Sequence, residues 1–243
     1  MRRVRCRKAV AGFATAVLLL TACGGGEDSS SPTTAPSTTT TIPPAEVDKQ
    51  KAPRVVLAAA DVPGFTQDPP DTDDDGADVE EAANACLNND PLLVRLGEDD
   101  DPRGASSPDF SRGETASVYS AVTFGENDDQ ARASIAALGA PSFPGCFSDA
   151  LADALRREDQ TFGDVAVNTA PLSAITAGDQ SLGYRSTIRA RVAGQAVTFY
   201  LDFTFIRSGR GLSVLSGFGF GTPFPEADRS RLATAIAGRM AAP

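Results

Sequence analysis

The chain has 243 residues, with 22 Lys and Arg against 32 Asp and Glu and no His, for a formal charge of −10 at pH 7. So acidic a chain does not grip nucleic acid through its phosphates and gains nothing from an anionic membrane surface. Without His, neither a Ser-His-Asp nor a Cys-His catalytic arrangement can be assembled.

The first element is a secretory signal. Arg2, Arg3, Arg5, Arg7 and Lys8 form a basic head, and Ala9 to Leu20 follows without a charge. That run is too short to span a membrane, which takes roughly 20 residues, and its layout is that of a signal peptide over residues 1–22. Leu20-Thr21-Ala22-Cys23 resembles the bacterial lipobox. The resemblance implies cleavage before Cys23 and attachment of diacylglycerol to its thiol, with palmitate among the lipid's acyl chains. The alternative is an ordinary signal peptide that happens to contain a cysteine. Five basic residues and no acidic one leave with residues 1–22, so the remainder carries a formal charge of −15. Cys23 and residues 24–53 then read as a lipidated start followed by a disordered Gly/Ser/Thr/Pro tether, too poor in apolar residues to build a core. As a random coil it reaches roughly 30 Å. Its Thr run is either a polar spacer or a site for O-linked sugar.

Residues 54–243 are expected to form one domain, large enough for a real core. Val55-Val56-Leu57 opens it ahead of a turn at Pro63-Gly64. Asp78, with Glu81 three residues on, makes a capping box for a short helix to about Leu87, and Val79, Ala82, Ala83 and Cys86 share its apolar face. Alternation from Glu114 to Phe124 predicts a strand with Ala116, Val118, Ser120, Val122 and Phe124 on one side. Asn127 and Gln130 cap a helix that runs to Leu138 and stops at Gly139. A second helix, from near Pro144 to Arg157, puts Phe147, Leu151 and Leu155 on one stripe, and a short strand covers 163–171.

Three further strands, Gln180 to Val192, Ala196 to Ile206 and Leu212 to Phe220, joined by tight turns, predict an antiparallel meander. In the middle one Val197, Phe199, Leu201, Phe203 and Phe205 form one face. A closing helix from Glu226 to Met240 turns Leu232, Ile236 and Met240 to the core. The expected fold is α+β: an antiparallel sheet of about five strands with helices packed largely on one face.

Cys6 leaves with the signal and Cys23 is taken by lipid, so Cys86 and Cys146 remain in a compartment outside the reducing cytoplasm, where a disulfide between them is the natural reading. Asp71-Thr72-Asp73-Asp74-Asp75-Gly76 matches the first ligand positions of a calcium loop, but position 12 is Ala82 and Pro69-Pro70 stands where a helix should enter. A solvated acidic loop fits better, and Glu98 to Asp101 reads the same way, so no metal is expected. Gly217, Gly219 and Gly221 form a glycine stripe on the strand face that also carries Tyr200 and Asp202 of the preceding strand. It is either the floor of a ligand groove or a thinned strand on which a helix packs. Arg185, Arg189 and Arg191 share one sheet face, as an anion site or as solvated charge balancing the acid. No SxxK, G-x-S-x-G elbow or phosphate loop occurs, so no catalytic residue and no cofactor are expected.

Lipobox, tether, paired cysteines on helices, a Gly178-Asp179 turn and a closing meander plus helix resemble actinobacterial cell-surface lipoproteins. Residues 54–243 in particular are similar in layout to the extracellular sensor domain of actinobacterial membrane serine/threonine kinases. That resemblance implies a sheet with helices around a cleft for a small ligand and supplies no catalytic residue; the kinase domain has two disulfides where this chain has one. The expectation is a non-enzymatic binding or sensor-like domain, lipid-anchored at the outer face of the cell membrane. Its partner would be a small envelope ligand or an envelope protein, with no nucleic acid. The alternatives are an interaction protein docking a partner through its acidic loops, and a hydrolase with an unusual carboxylate site.

Overall fold

The computed structural model describes residues 44–69, 83–98, 100–158, 162–192 and 194–242, all within a unit that starts at Thr41. The first element is a helix, α1 (Pro44–Val55), where the sequence reading has tether as far as residue 53 and a domain only from 54. The helix is polar along most of its length and contains Pro53, so no apolar stripe announces it. Pro44 starts it, at a position where its missing N–H costs nothing. Tertiary contacts hold it down. Ala52 and Val55 are fully buried, and buried Asp48 accepts hydrogen bonds from both arms of the Arg210 guanidinium.

A 3-10 turn (Ala59–Asp61) leads to β1 (Thr66–Gln67). Helix α2 is described over 83–86, and α3 (Pro91–Arg95) follows, capped by Asp90, whose side chain accepts from the Leu92 and Leu93 N–H groups. Then come β2 (Gly104–Ser106), β3 (Phe110–Arg112), β4 (Ala116–Phe124), α4 (Asp128–Leu138) and α5 (Phe143–Glu158). The C-terminal part holds β5 (Phe162–Pro171), β6 (Gln180–Val192), β7 (Gln195–Ser208), β8 (Gly211–Phe220) and α6 (Glu226–Ala241). The cap on α4 is the expected one, with the Gln130 N–H donating to Asn127 Oδ1 at 2.9 Å. The expected caps Asp78 and Glu81 lie outside the described residues.

The strands form one antiparallel sheet in the order β1-β3-β4-β8-β7-β6-β5, with β2 pairing β4 beyond β3. It has eight strands rather than about five, because β1, β2 and β3 have two or three residues each and are too short to show alternation.

Helices cover both faces of the sheet, where the sequence suggested largely one. Register explains the difference. Val118 of β4 pairs with Gly217 of β8, and Gly217 pairs with Asp202 of β7. Cross-strand partners share a face, so the apolar stripe of β4 lies on the Asp202 side, opposite the phenylalanines of β7. Val118, Val122, Phe124, Leu215 and Ile206 meet α6 and the end of α1 on that first face. On the second face Tyr184, Ile188 and Leu212 meet α3, α4 and α5. The strands alternate cleanly, but each strand's alternation says nothing about its neighbour's.

Candidate functional site

The second face holds a cavity of about 100 Å³ between the sheet and its helices. Tyr119, Tyr184, Phe203, Phe205 and Val214 form its floor. They come from four adjacent strands in matching register: Tyr119 opposite Ser216, Ser216 opposite Phe203, and Phe203 opposite Tyr184. Phe143 and Phe147 of α5 and Leu138 at the end of α4 close one side. The stretch from Ala83 to Leu96, through α2 and α3, closes the other.

Each wall is fixed by its own contacts. Phe143 and Phe147 stack with ring centroids 5.6 Å apart, Phe143 leans on Tyr184 at 5.3 Å, and Phe147 meets Phe203 edge-on at 5.6 Å. The Tyr184 hydroxyl donates to the Leu138 carbonyl at 2.8 Å, and burial raises its pKa above the ordinary value of 10.0. The Ser134 hydroxyl of α4 donates to Asp90 Oδ1 at 2.8 Å, so the residue that caps α3 also ties it to α4. The expected disulfide is present: Cys86 is joined to Cys146 with Cα atoms 5.7 Å apart. It staples the two sides of the cavity together, since Asn84 and Leu87 flank one cysteine and Phe143 and Phe147 flank the other.

The lining is mostly apolar. None of its residues is charged, and none is Ser, Thr or Cys. A small apolar guest would be held there by removal of apolar area from water at about 25 cal/mol per Å².

The residues singled out from the sequence lie elsewhere. Tyr200, Asp202, Gly217 and Gly219 share the first face, across the sheet from the cavity. The glycine stripe is no open groove, because the chain folds back over it. A Cβ on Gly217 would stand 2.8 Å from the Phe224 ring, and one on Gly219 would collide with the Thr222 carbonyl. The glycines are there so that the protein's own segment can approach. Gly221, with φ +71°, lies past the strand in the turn that brings this segment back.

Asp202, 1% exposed, is closed by Arg185 in a two-point pair, Nε to Oδ1 and Nη2 to Oδ2, both 2.6 Å. Arg185 also lies 5.9 Å from the Tyr200 ring centroid. The hydrogen bond to Asp202 raises the pKa of Arg185, while burial lowers that of neighbouring Arg229. Both carboxylate oxygens of Asp202 are thereby taken up by one guanidinium. Of the other arginines on that face, Arg191 pairs with Asp164 at 3.3 Å, both largely exposed.

Asp101 also departs from the reading of a solvated run. It is 8% exposed and accepts from the Thr123 hydroxyl at 2.5 Å and from the Arg103 N–H at 3.0 Å. Cys23 and the acidic run 71–76 lie outside the described residues, and among the described residues no group of acidic, His or Cys side chains is placed to hold a metal. The cavity residues Asn84, Tyr119 and Val94 were not singled out from the sequence. The signals that point to the cavity are the aromatic face of β7, which carries Phe203 and Phe205, and the apolar helix faces that carry Ala83 and Phe147.

No protein-family model and no curated protein matches the sequence. Among solved structures the chain is similar to the extracellular domain of PknH from Mycobacterium tuberculosis, with a TM-score of 0.43 and 10% identity, over 79% of this chain and 95% of that one. A likeness this low assigns neither a family nor an activity.

Proposed function

We propose that the protein is a binding domain that takes a small, largely apolar guest between its sheet and its helices, and that it works outside the cytoplasm, held to the membrane by lipid on Cys23. The observation that carries this reading is the aromatic cavity, walled by helices that a disulfide staples together. Proteins that fill their cores leave few voids larger than a water molecule, and a well-formed apolar pocket with a few polar groups is a default binding-site reading. Lining residues without a carboxylate, a cation, Ser, Thr or Cys favour binding over catalysis. The disulfide suits an oxidising compartment, in keeping with the basic head, short apolar run and lipobox-like Leu20-Thr21-Ala22-Cys23.

Titration with toluene, followed by isothermal titration calorimetry, tests the reading. Saturable binding with one site per chain is expected, and Val94→Trp should abolish it by filling the half-buried side of the cavity. Absence of saturable binding, or binding that Val94→Trp leaves intact, would refute it.

A further inference from the structure

The cavity's few polar groups narrow the chemistry of its guest. We infer that it takes an uncharged molecule with a single hydrogen-bonding group, such as an alcohol, aldehyde or ester, that meets the carboxamide of Asn84. This rests on the cavity being the binding site and goes further, to what is accepted and what is refused.

The side chains lining the space include no cation. A carboxylate or phosphate entering would lose its hydration with nothing to replace it, a cost of several kcal/mol. The acid excess of the whole chain adds repulsion at long range. A cation is refused for the same reason, since no carboxylate lines the cavity.

Three lining side chains carry polar atoms: Asn84, Tyr119 and Tyr184. The Tyr184 hydroxyl already donates to the Leu138 carbonyl, and Tyr119 is engaged by an interaction within the protein. Asn84 differs. Its backbone carbonyl accepts from the Leu87 and Asn89 N–H groups, both at 3.1 Å, which fixes the local chain. Its carboxamide is bonded to no other described residue. An amide offers two donors and an acceptor, so it meets either a hydroxyl or a carbonyl. A pure hydrocarbon would leave it unmatched, and a guest with a polar group that failed to reach it would itself be buried unsatisfied.

Asn84 is therefore a specificity-determining residue, and matched ring compounds test this. Toluene, benzyl alcohol and benzoate are each titrated into the full chain by isothermal calorimetry. Toluene and benzyl alcohol should bind, and benzoate should be at least about 100-fold weaker than benzyl alcohol. Asn84→Leu should weaken benzyl alcohol relative to toluene about fivefold, the worth of one neutral hydrogen bond. If that variant fails to fold, Asn84→Asp serves: it should keep benzyl alcohol, which donates, and lose benzaldehyde, which only accepts. Benzoate binding within tenfold of benzyl alcohol overturns the inference, as does an unchanged alcohol-to-toluene ratio in Asn84→Leu or retention of benzaldehyde by Asn84→Asp. In each of these cases toluene still binds and the cavity reading stands. If no compound binds, the cavity reading and this inference fall together.

Discussion

Replacing Cys86 and Cys146 by Ser perturbs stability and the cavity at once, and the two effects separate. The bond closes a loop with a sequence separation of 60. On the chain-entropy model its removal costs about 4 kcal/mol. In a domain of this size each kcal/mol moves Tm by about 2–4 °C, so the double variant should melt about 10 °C lower. The cavity adds a second consequence. Asn84 and Leu87 beside Cys86 are held against α5 by that bond, so its loss frees one wall relative to the other. Affinity for toluene should fall at least about fivefold at a temperature where the variant is still folded. Scanning calorimetry reads the first effect and titration calorimetry the second. A Tm shift below about 3 °C would refute the stability argument. A large shift with unchanged toluene affinity would refute the claim that the disulfide holds the cavity wall.

Three further outcomes follow from the same geometry. Cys23→Ala should move the protein from the membrane fraction to the soluble one in bacterial cells; unchanged retention sinks the lipid anchor. Asp202→Asn keeps the shape but leaves Arg185 and buried Arg229 without their shared anion. It should cost about 3 kcal/mol by denaturant titration, whereas Asp129→Asn at an exposed helix pair should change nothing measurable. Burial pushes the Asp61 carboxyl up, but the hydrogen bonds from Arg239 and the Ala58 N–H, with the Arg239 and Arg231 charges, outweigh it, and the pKa lies below 3.8. A pKa lowered by folding contributes stability above the unfolded value and loses it as pH falls through the folded one. Asp61→Asn should therefore cost about 1–2 kcal/mol at pH 7 and little at pH 2; an equal cost at both would contradict the assignment.

Much of the fold is legible in the sequence because long strands and capped helices carry local signals. The alternation of β4, β6, β7 and β8 and the Asn127 cap are decided by neighbours a few residues away. The misses are decided at long range. Polar α1 exists because Asp48 meets Arg210, 162 residues later. Helices cover both faces because β4 and β7 turn their apolar stripes to opposite sides, a matter of register through Gly217. The glycine stripe is visible, but that Phe224 fills it depends on which way the Gly221-Thr222-Pro223 turn folds the chain back, which no local signal gives. That Asp202 meets Arg185 is decided by the register of the neighbouring strand. The cavity draws on α2, α3, α4, α5 and four strands, and its emptiness is a property of packing that no single segment encodes.

The most direct test of the central claim is a crystal of the protein grown with bromobenzene and measured at the bromine absorption edge. An anomalous peak between Phe147, Tyr184, Phe203 and Leu93 is the predicted result. A filled, unoccupied interior there, or a peak confined to the first face beside Gly217 and Phe224, would contradict it.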